Sequence, residues 1–402
     1  MSFFRNRLFL AVILAHFFID LFTSAGSVIV TFLSVPLGLS AAQIGLALSG
    51  YQLVNGVVQP LFGWLADRVG SRWLGPGSIA WTISLMMLSV WLAQMTHNYW
   101  LFLILFTMAA LGSAAFHPLG TMHAGTSTFD RAATATAVFF MFGQSGLALG
   151  PVLAGILLDQ VGTPGIYALA LLVIPLVLFM ALAMRSQPTP AHQKASEDSS
   201  EGAEKFNLTS PPQWGAIGVL FLLMGLRSWA TLGTVAFLPK IFQDMGWGAT
   251  AYGSITSVYW MASAIMGVVA GNLADRWGRR QVIFMTLLLG SIPIYFLPLN
   301  DGWLAFVLAT AIGGLMGASH SILMVIAQDL LPSSKSLASG LALGYIFTIG
   351  AVAIWLIGLL ADTWNLTAVI QIGAFVGVAS AFLAWLLPAT REAAQKELVA
   401  MK

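Results

Sequence analysis

The chain contains no cysteine, and only 8 % of its 402 residues are charged. Without cysteine there is no disulfide framework, no thiolate metal site and no cysteine nucleophile. A soluble domain carries about 25 % charged residues, so the charge here is too sparse to cover a water-facing surface of this size. Metal-ligand spacing, a nucleophile triad and a phosphate-binding loop are also missing, and no hydrophilic stretch is long enough to build a signalling domain. An enzyme or a sensor is therefore disfavoured. What is present is apolar: 58 % of residues are hydrophobic and the mean hydropathy is +0.87. Forty glycines and fourteen tryptophans fit membrane helices, where Gly is tolerated and Trp collects at the interfaces.

Apolar runs of about 20 residues cross a bilayer. Reading them between polar breaks predicts an all-α membrane protein of twelve transmembrane helices, over residues 8–34, 41–66, 74–95, 99–122, 132–158, 163–184, 213–238, 249–273, 281–299, 302–326, 336–361 and 366–388. The expected arrangement is two pseudo-symmetric six-helix halves, 1–184 and 213–402, around a central cavity. Between them residues 185–212, rich in Ser, Pro, Glu and Lys, read as a flexible cytoplasmic linker. The first run follows Arg5 and Arg7 as a signal peptide would, but it is too long and carries Asp20 at its centre, so it reads as the first span. With the N-terminus in the cytoplasm, fifteen of the seventeen Lys and Arg fall inside, only Lys240 falls outside, and Arg227 lies within a span. Both termini and the linker are thus expected on the cytoplasmic side of a bacterial inner membrane.

A charged decapeptide occurs twice, "GWLADRVGSR" at 63–72 and "GNLADRWGRR" at 271–280, each between the second and third helix of a half. This marks a tandem duplication. Asp67 and Asp275 sit at helix C-termini, where the macrodipole disfavours an acid unless a cation or an N–H group meets it. The adjacent Arg68, Arg72, Arg276, Arg279 and Arg280 are expected to do so, and Gly63 and Gly271 to permit close helix approach. A basic loop that only sets topology is the plainer reading, but scattered Lys would suffice for that. The pattern resembles the loop signature between helices 2 and 3 of the major facilitator superfamily, and the resemblance covers the whole chain. It implies a cytoplasmic gate made of Asp67, Arg68, Arg72, Asp275, Arg276 and Arg280.

Ionisable residues inside a membrane mark function by default. Asp20 lies mid-way along helix 1, with His16 one turn earlier on the same face. Arg227 occupies the equivalent place in helix 7, 207 residues on, so the two are expected to face each other across the cavity. Either they form a structural ion pair or they work: Asp20 accepting a proton that His16 relays, and Arg227 binding an anion or Asp20. The substrate cavity is expected to include Arg227, His117, His320, Gln52, Asn55, Gln144, Tyr259 and Tyr345, with the apolar helices 3, 6, 9 and 12 facing lipid. Each histidine alone is as readily a satisfied hydrogen-bonding group. In helix 5, Gly146 and Gly150 suit tight packing and Pro151 a kink or hinge. This stretch, "GQSGLALGPVLAG", resembles the helix 5 signature of the superfamily's antiporters.

"LAHFFIDLF", "FHP", "GLALGPVLAG" and "AQDLLPSSKSLASGLALG" together resemble the fosmidomycin-resistance branch of that superfamily. That resemblance implies export of a small anionic or amphipathic drug in exchange for protons, by alternating access, with the proton gradient as energy source and no cofactor. The expected partners are the small-molecule substrate, protons and lipid, with no nucleic acid, and the transporter acting as a monomer. Two departures matter. Helix 4 has no early arginine, and no carboxylate follows its "HP", so proton handling rests on Asp20 and the histidines. An uptake symporter or facilitator for a small organic anion, using the same Arg227, remains the alternative.

Overall fold

The computed structural model describes residues 6–126, 132–185, 214–331 and 335–388, and the regular structure in them is helical throughout. The order is α1 Arg7–Leu37, α2 Ala41–Val69, α3 Ser71–Thr96, α4 Tyr99–Thr126, α5 Ala132–Gln160, α6 Thr163–Ala183, α7 Trp214–Asp244, α8 Ala249–Trp277, α9 Arg279–Leu299, α10 Gly302–Leu330, α11 Lys335–Thr363 and α12 Leu366–Leu386. The expected linker, Arg185 apart, lies outside the described residues.

Eleven of these helices are long and apolar enough to cross a membrane. The exception is α2, whose 29 residues rise about 43 Å at 1.5 Å each, ample for a hydrocarbon core of about 30 Å. Gln43, Gln52, Asn55 and Gln59 lower its hydropathy, which is what a cavity-lining helix requires. Exposed tryptophans mark two levels. Trp73, Trp214 and Trp277 lie at the end that carries the decapeptides, and Trp100, Trp303 and Trp364 at the opposite end. Such belts sit at the two bilayer interfaces.

Local chemistry sets the helix ends. Gly38 closes α1 in the left-handed region (φ 60°), and Ser40 opens α2 with a capping box to Gln43. The helices then pack through glycine. A Cβ on Gly146 would lie 2.2 Å from the Phe17 carbonyl oxygen, and one on Gly150 2.1 Å from that of Leu21. The expected hinge glycines of α5 are therefore contact points that seat it flat on α1. Pro151 lies inside the helix, and the N–H of Val152 next to it donates to Ser257 Oγ on α8 (2.9 Å). Gly146→Val is expected to cost about 1–3 kcal/mol as overpacking, read as a lower melting temperature in detergent. An unchanged melt would remove the contact from the list of packing determinants.

The two six-helix groups meet along α2 with α11 and α5 with α8. At the end opposite the decapeptides the halves touch, a Cβ on Gly155 falling 2.2 Å from the Ala249 carbonyl oxygen. At the decapeptide end a Cβ on Gly267 or Gly271 would meet nothing within 4 Å, and one on Gly63 would touch only Pro118 of its own half, at 3.7 Å. The close approach expected of Gly63 and Gly271 is thus not made here.

Candidate functional site

On α1, His16 and Asp20 share one face, and α4 brings His117 to the same carboxyl group. His16 Nε2 lies 3.2 Å from Asp20 Oδ2, and His117 Nε2 lies 3.3 Å from Asp20 Oδ1. The other ring nitrogens are committed: His16 Nδ1 donates to the Phe139 carbonyl (2.8 Å) and His117 Nδ1 to the Ser113 carbonyl (2.7 Å). A carbonyl only accepts, so both Nδ1 atoms carry hydrogen and both Nε2 atoms face the carboxyl. The α5 backbone seals the pair, since a Cβ on Gly143 would fall 2.5 Å from His16 Nε2 and 2.7 Å from Asp20 Oδ2. The His16 side chain is 3 % exposed and that of His117 23 %, so the open side of the cluster is the α4 side.

Both Nε2–carboxyl contacts are ion-pair distances, and each is favourable only with a hydrogen between the two atoms. Two protons shared among two Nε2 atoms and one carboxyl satisfy both contacts. They make either two imidazoliums on a carboxylate, or one imidazolium with a carboxylic acid donating to the other ring. Each arrangement carries one net positive charge. With one proton fewer, one contact sets lone pair against lone pair and is lost. The ligand-type atoms of the three residues lie within 4.8 Å of one another.

Arg227 makes no ion pair with Asp20. Its Nε donates to Ser319 Oγ (2.7 Å) and its Nη2 to the Met316 carbonyl (2.9 Å), both on α10. The expected cross-cavity pair is replaced by two equivalent pairs within halves: α1 is held by α4, and α7 by α10. Arg227 is 5 % exposed, and among the described residues no carboxylate pairs with it. The guanidinium has five N–H donors, so the two bonds to α10 leave others free. Directly after it, α7 turns π-helical over Trp229–Gly233. Ser228, Thr231 and Thr234 each donate to the carbonyl four residues earlier, a bonding that bends helices, and π turns concentrate at functional sites. The Ser/Thr/Gly run "SWATLGT" is the sequence signal for it.

Of the other expected cavity residues, His320 is half-buried. The Tyr259 hydroxyl donates to the Thr231 carbonyl (3.4 Å). Tyr345 stacks edge-on against Phe221 at 4.7 Å, its hydroxyl beside Gly225. Gln52 is half-buried, and Asn55 is buried with its Oδ1 unpartnered, a group that costs about 1–3 kcal/mol until a ligand or water meets it. Gln144 is exposed on the face of α5 that carries Pro151 and Gly155 toward α8. Buried His123, whose Nε2 is also unpartnered, was not singled out by sequence. The surface grooves lie elsewhere: one of about 370 Å³ between α3 and α6 and one of about 230 Å³ between α2 and α11, both apolar.

Among the described residues no ion pair joins one decapeptide to the other. Arg68 lies over the Trp64 ring (4.0 Å) and Arg72 over that of Trp73 (5.3 Å). Arg279 pairs with Asp329 of α10 (2.6 Å), and the buried Arg280 Nε has no partner. Asp275 and Arg276 are exposed without an ion pair among the described residues, which corrects the expectation that neighbouring arginines meet the acid. The Asp67 side chain lies outside the described residues.

Residues 10–248 and 220–401 match the model of the Major Facilitator Superfamily. The chain belongs to this superfamily. As a superfamily member it is a multi-pass membrane transporter of small molecules and not an enzyme. It is 24 % identical over 373 residues to the fosmidomycin resistance protein of Escherichia coli K12, covering 91 % of this chain and 89 % of that one. It is 26 % identical over 365 residues to the uncharacterised MFS-type transporter YfnC of Bacillus subtilis, covering 89 % and 86 %. It is 28 % identical over 290 residues to the multidrug resistance protein MdtG of Serratia proteamaculans, covering 70 % and 68 %. The fold is shared with the D-xylose-proton symporter (TM-score 0.75, 15 % identity, 96 % and 98 % coverage). It is also shared with the xylose transporter XylE of E. coli in its inward open conformation (TM-score 0.73, 16 % identity, 95 % and 96 % coverage).

Proposed function

We propose that this transporter exports a small anionic or amphipathic compound, of which fosmidomycin is the first candidate, in exchange for protons. The observation that carries the reading is the pairing of a buried His16–Asp20–His117 cluster in one half with a buried, carboxylate-free Arg227 in the other. The cluster holds a countable proton, and the guanidinium keeps free donors for a phosphonate or carboxylate. Fosmidomycin is a phosphonate, and the similarity to a fosmidomycin resistance protein and to multidrug resistance proteins supports that class.

In this reading the decapeptide end is cytoplasmic, both termini are inside, and the protein stands inward-open. Release of one proton breaks the contact on the exposed side, His117 to Asp20, and so loosens α4 from α1. When the cytoplasmic end closes, Asp67, Arg68, Arg72, Asp275, Arg276 and Arg280 engage as its gate. Gln52, Asn55, Gln144, Tyr259, His320 and Tyr345 line the path between the two sites.

The test uses everted vesicles with an acid interior and a pH-reporting dye. Fosmidomycin is expected to dissipate the gradient when the transporter is present and to have no effect without it. No response would remove fosmidomycin as substrate. Proton-driven accumulation of an organic anion in right-side-out vesicles, with no exchange, would give the uptake symporter instead.

A further inference from the structure

A second duplicated element is written more sparsely than the decapeptide. The pattern Gly-x-Leu-x-Asp ends α5 as Gly155, Leu157 and Asp159, and it recurs near the end of α11 as Gly358, Leu360 and Asp362. Asp159 Oδ1 accepts from the Ala249 N–H (2.8 Å) and its Oδ2 from the Thr250 N–H (2.6 Å), the first two residues of α8. Asp362 Oδ1 accepts from the Ala41 N–H (2.8 Å) and its Oδ2 from the Ala42 N–H (3.1 Å), the first two residues of α2. Each acid therefore caps a helix of the other half.

The glycines make the approach possible. A Cβ on Gly155 would lie 2.2 Å from the Ala249 carbonyl oxygen, and one on Gly358 2.5 Å from that of Ala41. The partner helices answer one turn further in: a Cβ on Gly253 would lie 2.3 Å from the Pro151 carbonyl oxygen, and one on Gly45 2.9 Å from that of Ile354. The two crossings thus repeat residue for residue. An acid at the C-terminal end of its own helix is disfavoured by that helix's dipole, while the same acid on a foreign N-terminus is favoured. The N-cap of α8, Gly248, offers no side-chain acceptor, and Ser40 on α2 reaches only Gln43. The first two N–H groups of both helices are left to the opposite half. Beside them Gln243 of α7 donates to the Thr31 carbonyl of α1 (2.8 Å) and accepts from Ser34 Oγ (3.1 Å).

We propose that Asp159 and Asp362 are paired latches that hold the end opposite the decapeptides shut, and that release of both is the event that opens it. The proposal stands whatever the substrate or coupling ion, because it concerns only which end is closed. The absence of native cysteine makes the test direct. Spin labels are placed at Val161→Cys and Trp364→Cys, exposed positions just beyond the two latches, and in a second protein at Val69→Cys and Trp277→Cys, exposed at the decapeptide end. Distances are measured by pulsed electron resonance in lipid nanodiscs. Asp159→Ala with Asp362→Ala is expected to move the first pair to longer and the second to shorter distances, with each single change giving a smaller shift. Asp301→Ala, which removes an acid at the same end that caps Gly302 within its own half, is expected to leave both distributions in place. If the double Ala protein does not fold, Asp159→Asn with Asp362→Asn decides, since each Asn keeps the volume and one acceptor oxygen and gives an intermediate shift. Unchanged distances in a folded double variant, or an equal shift with Asp301→Ala, overturns the latch.

Discussion

Asp20→Asn is expected to reduce proton-driven efflux to background, a loss of at least about a hundredfold, the scale on which a positioned proton-transfer group matters. The reason is in the hydrogen count. The substituted amide accepts from one ring and donates to the other, so it satisfies the two Nε2 atoms that Asp20 Oδ2 and Oδ1 meet at 3.2 and 3.3 Å, but it cannot take up or give up the shared proton. The cluster keeps its shape, but its remaining proton sits on an imidazolium with no carboxylate to stabilise or receive it. Two measurements separate this from misfolding. Substrate binding by purified Asp20→Asn is expected to stay within a few-fold of wild type, and its pH dependence to flatten. Efflux that persists in Asp20→Asn, still collapsing the proton gradient, would remove the cluster from coupling altogether. His117→Gln serves as the graded variant, because the His16–Asp20 contact survives within α1 while the link between α1 and α4 does not.

Arg227→Gln is expected to weaken binding of an anionic substrate by roughly a hundredfold, from about 3 kcal/mol for a buried charge-assisted contact. Gln retains hydrogen-bonding reach toward Ser319 and the Met316 carbonyl, so the α7–α10 contact is kept in part while the cation goes. Arg227→Lys keeps the charge without the planar fork and is expected to fall between the two. Binding of fosmidomycin by titration calorimetry reads this directly. A dissociation constant unchanged within about twofold in Arg227→Gln, with the protein folded, would leave Arg227 a structural tie to α10 and return the anion site to another part of the cavity.

Much of this molecule was legible before its folding was considered. Twelve helices, the long polar α2 among them, follow from run length and composition, and the one-turn spacing of His16 and Asp20 places both on one face. The gate groups were legible as a repeat but not as a state. Whether Asp275 meets an arginine depends on tertiary packing, and among the described residues it has no ion pair. A direct Asp20–Arg227 pair was one of two outcomes that pseudo-symmetry allowed, and the structure does not make it: symmetry-equivalent positions need not touch, and the fourth helix of each half brings His117 to Asp20 and Ser319 to Arg227. Gly146 and Gly150, suited to either a hinge or a contact, are contacts, since the α1 carbonyls lie where their side chains would begin.

The sequence by itself determined that the chain lives in a membrane, that it is a duplicated bundle, and which few ionisable groups are buried in it. Those properties depend on composition, periodicity and the cost of placing charge in hydrocarbon, all of which are local. Only the tertiary structure decided the partners: His117 on Asp20, α10 on Arg227, and Asp159 and Asp362 on the N-termini of α8 and α2. A carboxylate's role is set by the donor that stands opposite it. For the two latch acids that donor lies 90 and 321 residues away along the chain, brought there by glycine-mediated helix crossings.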